Sequence, residues 1–373
     1  MYPLMNATRV VLAVTNDLNG DQRLHRIASS LQAAGYEVEV VGRRKPDSRA
    51  LPARPYRQHR LRLPVVRGPW FYLSYQVALL GYLLRRPGEL ITANDLDTLP
   101  ACYLAARLRG RRLLYDSHEY FTEVPELVTR PRVRRVWLAL EGWLFPRLRH
   151  IYTVNDSLAR LYQARYGQAV QVVRNVPFPR PVPPPPGPRP ILLYQGALNL
   201  GRGLELMIDA MAHLPGYTLW IVGQGDLDAE LRTRAELAPW QDRIVFHGFV
   251  PPEELVALTP QAGLGLSLEA DLGANYHYAS PNKVYDYLQA RLPVLVSDLP
   301  EMRAVVEQHG VGQVLPPDQR SPEALAERVR AMLEDAAAYH RYTQAADQAA
   351  RVLHWEAERA HLLAMYADAT RRG

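Results

Sequence analysis

From residue 9 onward, short apolar runs alternate with longer segments of helical period. RVVLAV (9–14) is followed by DQRLHRIASSLQAAG (21–35), where Leu24, Ile27, Ala28, Leu31 and Ala34 recur at intervals of three and four. Such spacing lays one apolar stripe along a helix. Gly35 is a natural helix stop, and YEVEVVG (36–42) reads as a second strand. Strand, helix and strand in this order predict a parallel βαβ unit of the doubly wound kind. The alternation continues through LIT (90–92), a helix around LDTLPACYLAARLRG (96–110), RRLLYD (111–116), a long helix around 131–149, HIYTVN (150–155), a helix around 157–166 and QVVRNV (171–176).

The pattern breaks at PFPRPVPPPPGPRP (177–190). Proline lacks the N–H that a helix or a central strand needs, so this run reads as a stiff, extended linker. A second alternation follows: ILLYQG (191–196), a helix from about Gly203, YTLWIVGQG (217–225), a helix near 227–237, RIVFHGF (243–249), a short helix at 252–258, LGLSL (264–268), a helix at 281–290 and PVLVSD (293–298). The tail from about 322 to 371 is helical, with a break before Trp355. The expected organisation is a first α/β domain over 1–176, a linker over 177–190 and a second α/β domain over 191–351. A terminal helix from about 352 to 373 packs back on the first domain. Ligands then bind at the carboxyl ends of the strands, in a cleft that the two domains face.

Composition narrows the class. A chain of 373 residues suits two domains, and 48% hydrophobic with 22% charged residues is ordinary for globular proteins. The single cysteine, Cys102, excludes an internal disulfide and fits a reducing compartment. It lies in an apolar helical run and reads as a buried small residue. No Cys/His cluster has zinc spacing, so no metal site is expected. The opening MYPLMNATRVVLAVTND reads as a first strand, too short in its apolar run for a signal sequence. No run approaches the roughly 20 apolar residues that span a bilayer. The expected location is cytoplasmic, either free or peripheral on the inner face of the membrane.

A net charge of +6 favours an anionic partner. The arginines are dispersed, which does not point to nucleic acid. Trp70–Arg86 is apolar and aromatic with a basic end, and Arg130–His150 interleaves Arg with Trp, Leu and Phe. Both suit an anionic membrane surface, and both suit core helices with solvated arginines.

One stretch carries chemistry: SPNKVYDYLQARLPVLVSD (280–298). Ser280 reads as an N-cap and Pro281 as the first helical residue. Asn282, Lys283 and Asp286 then share one helix face. The free N–H groups of a helix start attract phosphate, Lys283 adds charge, and Asp286 can accept bonds from sugar hydroxyls. The plainer reading is a capped surface helix with a Lys283–Asp286 ion pair.

This stretch, with YQGALNLGRGLELMIDAM (194–211), LWIVGQG (219–225), VFHGFVPPEEL (245–255), YDSHEYF (115–121), TVNDSLARLYQARYG (153–167) and VVRNVPF (172–178), resembles the retaining glycosyltransferases of family 4 (group 1). The resemblance covers nearly the whole chain. It implies the GT-B fold, two doubly wound Rossmann-like domains facing across a cleft. It also implies transfer of a sugar from a nucleoside-diphosphate sugar, UDP- or GDP-linked, to a hydroxyl of a saccharide, glycolipid or small-molecule acceptor, as in polysaccharide biosynthesis. No metal and no cofactor is implied beyond that donor.

The resemblance also distributes roles. After the first strand of the second domain the family has a Gly-Arg…Lys-Gly element that holds the diphosphate. Here it spans Gly196 to Gly203, its lysine falls on Arg202 and its arginine near Ala197, a charge that Lys283 could replace. Of the family's two glutamates the second falls on Asp286, the ribose ligand, and the first on Tyr278, a departure that bears on the sugar. Glu269 and Asp271 could substitute, although exposed loop acids are the simpler view. Ser280 and Asn282 join the donor side, Gly223 and Gly225 allow backbone to approach the ligand, and His247 and Val250 belong to the segment facing the base. His118 resembles the family's cleft histidine, with Glu119 beside it. Asn19, Gly20 and Asp21 occupy the acceptor-side loop, where Asp21 could equally be a helix N-cap. Asn94 and Asp95 are further acceptor-side candidates. An epimerase or hydrolase on the same fold, and a non-catalytic nucleotide-sugar-binding subunit, are the alternatives.

Overall fold

The parallel alternation read from the apolar runs is present as two separate sheets in a computed structural model describing residues 8–65, 67–181 and 187–371. The chain divides into two units, Met1–Asn175 with Glu358–Gly373, and Val176–Ala357.

The first sheet comprises β1 (Arg9–Ala13), β2 (Glu37–Arg43), β3 (Arg57–Leu61), β4 (Leu90–Asn94), β5 (Arg112–Ser117), β6 (His150–Thr153) and β7 (Gln171–Val172). All its pairings are parallel, in the order β3-β2-β1-β4-β5-β6-β7. The second comprises β8 (Ile191–Gln195), β9 (Thr218–Val222), β10 (Ile244–Gly248), β11 (Leu264–Ser267), β12 (Val294–Ser297) and β13 (Gly312–Leu315). It is also parallel throughout, in the order β10-β9-β8-β11-β12-β13. Strand order reverses between β1 and β4 in one sheet and between β8 and β11 in the other. At such a reversal the connecting helices leave in opposite directions and open a crevice at the carboxyl ends.

Most strands foreseen from apolar runs are central, with β7 and β10 at edges, and β1, β4 and β12 are almost wholly buried. Two that were not foreseen lie at edges. β3 reads RQHRL and buries only Leu61, because an edge strand pairs on one side and keeps its polar residues in water. β13, GQVL, and the preceding helix Pro300–His309 were missed for the same want of an apolar run.

Asp21 is the N-cap of the helix Gln22–Ala33, accepting from the Leu24 amide at 2.8 Å. Arg23, in the first turn of this helix, is buried. Its Nη2 and Nε donate to Asp116 Oδ1 and Oδ2 at 2.8 and 3.0 Å, and its Nη1 donates to the Val173 carbonyl at 3.0 Å. One guanidinium thus ties the first helix to the end of β5 and to the chain beyond β7.

In the tail, helices Pro322–Leu333 and Ala336–Ala350 belong to the second unit, and from Glu358 onward the last helix belongs to the first. There the Tyr366 hydroxyl lies 2.8 Å from that of Thr92 on β4. Residues 182–186 of the proline run lie outside the described residues. The residues before them do not form a free spacer. Arg180 donates its amide to Gln289 at 2.9 Å, accepts from Arg291 Nη1 at 3.0 Å and donates Nη2 to Asp286 at 2.8 Å, so this segment is strapped to the second unit. Among the described residues no helix is long and apolar enough to cross a membrane.

Asp116→Ala leaves the Arg23 guanidinium buried without its carboxylate. We expect a loss of about 3–5 kcal/mol in unfolding free energy, read by urea denaturation. A loss below about 1 kcal/mol would show that water reaches Arg23.

Candidate functional site

In the second unit the loops at the switch point meet around one carboxylate. Glu269, two residues past the end of β11, is fully buried. Its Oε1 accepts from Lys283 Nζ at 2.7 Å, its Oε2 accepts from Ser267 Oγ at 2.7 Å, and Arg202 Nη1 lies 3.6 Å from Oε1. Burial alone would raise the Glu269 pKa. Lys283, Ser267 and Arg202 outweigh that and hold it below the usual carboxylate value. The view of Glu269 as an exposed loop acid is therefore wrong, whereas Asp271, paired with His277 at 2.7 Å, is more than half exposed. Lys283 Nζ also sits 4.1 Å from the centre of the Tyr194 ring, and Arg202 lies over Tyr276. Arg320 closes the back of the loop, donating to the Leu268 and Glu269 carbonyls at 2.8 and 3.2 Å and to Ser297 Oγ.

The helix carrying Lys283 runs Asn282–Gln289, one residue later than foreseen. Its N-cap is Pro281, without a side-chain cap bond, and Ser280 instead bonds the Tyr285 hydroxyl at 2.8 Å. Asn282 is exposed at the helix start. No Lys283–Asp286 ion pair forms. Lys283 turns to Glu269, and Asp286 pairs with Arg180 at 2.8 Å. Just beyond the helix stands Arg291, whose φ of 60° is rare for a side-chain-bearing residue. Bonds from its guanidinium to Asp347, Arg180 and Gln289 hold it there.

The glycines serve backbone against backbone. Gly196 follows β8 with φ 143° and donates its amide to the Val222 carbonyl, and Gly223 follows β9 with φ 141° and donates to the Gly248 carbonyl. A Cβ on Gly223 would stand 1.8 Å from the Gly196 carbonyl oxygen, and one on Gly225 would stand 2.4 Å from Asn199 Oδ1. What approaches these glycines is the neighbouring loop. The same ladder brings His247 alongside. Its ring meets Trp220 edge-on, burial lowers its pKa, and its Nε2 is buried without a hydrogen-bond partner among the described residues. Val250 packs on the core beyond it. Tyr278, at the first-glutamate position, follows the short helix Ala274–His277 and packs edge-on against His277.

In the first unit, loops after β1, β4 and β5 meet at the other switch point. Asp95 adopts φ 61°. Its Oδ2 lies 3.0 Å from His118 Nε2, and its Oδ1 accepts the His118 amide at 3.2 Å. Burial alone would lower the His118 pKa, but Asp95, with Asp116, Glu119 and Asp21, raises it to about 9. Burial drives the Asp95 carboxyl upward while His118 opposes it. Asp97, which the sequence did not single out, accepts from Thr15 Oγ1 and is pushed up to about 6, chiefly by burial. Asn94 is structural, donating to the Ala13 carbonyl at 2.9 Å. Asn19 is bonded within its own loop to Asp17, Gly20 is exposed with open space where a Cβ would stand, and Glu119 is exposed. Cys102 is buried.

Structure brings Gly196, Arg202, Lys283, Gly223 and His247 to one edge of the second sheet, and Asp95 and His118 to one edge of the first. Glu269 had a signal: an acid directly after LSL, at the end of a strand neighbouring β8. Arg320, some 50 positions further on, had none.

Two family models tile the chain. The one described as "Glycosyl transferases group 1" matches residues 177–349, and "Glycosyl transferase 4-like domain" matches residues 20–177. The chain belongs to the group 1 glycosyltransferases and is a sugar-transferring enzyme. No curated protein sequence matches it. Among solved structures, sucrose-phosphate synthase from Thermosynechococcus elongatus is similar with a TM-score of 0.74 at 19% identity, over 97% of this chain and 98% of that one. Anabaena HepE in complex with UDP and glucose gives 0.74 at 15% identity, over 97% and 100%. WaaG, a glycosyltransferase involved in lipopolysaccharide biosynthesis, gives 0.72 at 18% identity, over 98% and 100%. At these identities the likeness is one of fold, two Rossmann-like domains of the GT-B type.

His118 gains its proton partner on folding, so its folded pKa of about 9 exceeds the unfolded value of about 6.5. Its contribution is present below about pH 6.5 and is lost as pH rises through about 9. Relative to His118→Gln, wild type should lose up to about 3 kcal/mol of unfolding free energy over that window. Parallel stability curves for the two proteins would remove the ion pair from the account.

Proposed function

We propose that the chain moves a sugar from a nucleoside-diphosphate sugar, UDP-linked rather than GDP-linked, to a hydroxyl of a glycan, glycolipid or small-molecule acceptor, retaining anomeric configuration. The observation that carries this is the pairing of Arg202 and Lys283 on the single carboxylate of Glu269. Two cations against one buried anion leave a positive excess at the carboxyl ends of β8 and β11, where a doubly wound sheet takes its ligand. HepE, similar in fold, was solved with UDP and with UDP-glucose, which favours the uridine nucleotide.

As the anomeric carbon–oxygen bond to the diphosphate breaks, negative charge grows on the leaving oxygens. Arg202, a bidentate donor, and Lys283, a point charge, stabilise it, and neither needs a metal. The acceptor oxygen forms the new bond on the same face, and its proton passes to the departing diphosphate. Glu269 keeps both cations aimed, and Asp286, held by Arg180, takes the ribose hydroxyls. His118, paired with Asp95, bonds a hydroxyl of the donor sugar. We place the enzyme in the cytoplasm, in keeping with its single buried thiol.

Purified protein incubated with UDP- and GDP-sugars should release nucleotide fast only when a hydroxyl acceptor is present. Arg202→Ala and Lys283→Ala should each lower kcat/KM by about 100-fold. Asp286→Ala should act mainly by raising the KM for donor. Ordinary rates in both cation variants would sink the reading. Thermal stabilisation by nucleotide with no turnover on any acceptor would make the chain a binding subunit instead.

A further inference from the structure

Three neighbouring helices of the first unit, Pro69–Arg85, Leu99–Arg109 and Pro131–Leu144, turn large apolar side chains outward. Trp70 is 70% exposed, Leu108 67%, Val77 65% and Val136 59%, and Leu73 and Trp143 are about half exposed. On the first helix Trp70, Leu73 and Val77 follow the i, i+3, i+7 line, opposite the buried Phe71, Tyr75 and Leu79. The Tyr72 ring meets Trp137 edge-on at 5.2 Å, and Tyr103 meets Trp143 at 5.7 Å, so the helices are seated against one another.

Charge on these helices has one sign. Their sequences contain a single acid, Glu141, and it is fully buried. Arg85, Arg107, Arg109, Arg132 and Arg135 are exposed on the same three helices. A second copy of this chain on the same face would set arginine against arginine. An anionic bilayer meets both features at once. Tryptophan and aliphatic side chains enter the headgroup boundary while guanidinium groups bond lipid phosphates.

We propose that this three-helix face docks the protein on an anionic lipid bilayer. The docking is peripheral, driven jointly by the outward apolar side chains and the arginines, and it is independent of which sugar is transferred. The test is flotation of the full chain with vesicles of phosphatidylcholine alone or with about one third phosphatidylglycerol, at low and high salt. Binding is expected only to the anionic vesicles, falling steeply with salt. The exposed set W70S/L73S/V77S and the set R107Q/R109Q/R132Q/R135Q should each weaken binding by about tenfold or more. Both sets should leave melting temperature and nucleotide-induced stabilisation unchanged, since all of these residues are exposed. Equal binding to neutral and anionic vesicles, or no binding to either at low salt, would overturn the proposal. So would a stable dimer that W70S/L73S/V77S dissociates, since the face would then belong to a second copy.

Discussion

A carboxylate removed from water costs several kcal/mol unless cations and hydrogen-bond donors meet it, and once met it orders them in return. Glu269 is such a group. Ser267 supplies a hydroxyl from the end of its own strand, Lys283 an ammonium from a helix and Arg202 a guanidinium from the loop after β8. Three separate stretches of chain are thereby fixed around one point. Arg202 is the group that family resemblance gives to the diphosphate, and Lys283 is the candidate to replace the charge missing at Ala197. Their orientation in the free protein is thus set by an internal anion.

Close backbone packing frames that point. Gly196 and Gly223 let the loops after β8 and β9 touch, and the Gly223 amide continues the contact to Gly248. No side chain fits between them. Behind, the Arg180 segment straps the helix Asn282–Gln289 through Gln289, Arg291 and Asp286. The proline run before residue 182 is thereby part of the second unit's structure, and Asp286 is held on one side by a guanidinium. In the first unit the counterpart is the Arg23–Asp116 pair, which secures the end of β5 just before His118.

Several residues had their structural roles open to view. Asp21 precedes an apolar period and caps a helix, as its position implied. The central strands were visible as apolar runs because burial on both faces leaves no room for polar residues. β3 and β13 were not, because an edge strand satisfies its backbone on one side only and tolerates Arg, Gln and His. At the helix start near Lys283, cap rules pointed to Ser280 and a Lys283–Asp286 pair. Tertiary competition won on both counts, since a buried Glu269 and a strapped Arg180 offer stronger partners than a neighbour one turn away.

Periodicity alone determined that this chain builds two parallel, doubly wound sheets separated at a proline run, because a 3.6-residue stripe and a fully apolar strand each have one way to be buried. Order and spacing of short motifs determined its family and nominated Arg202, Lys283 and Asp286. Only the tertiary structure decided which carboxylate the two cations share, where Asp286 turns, and that His118 leans on Asp95. Those pairings join residues far apart in the chain, and their geometry follows from where crossover connections set down the strand ends.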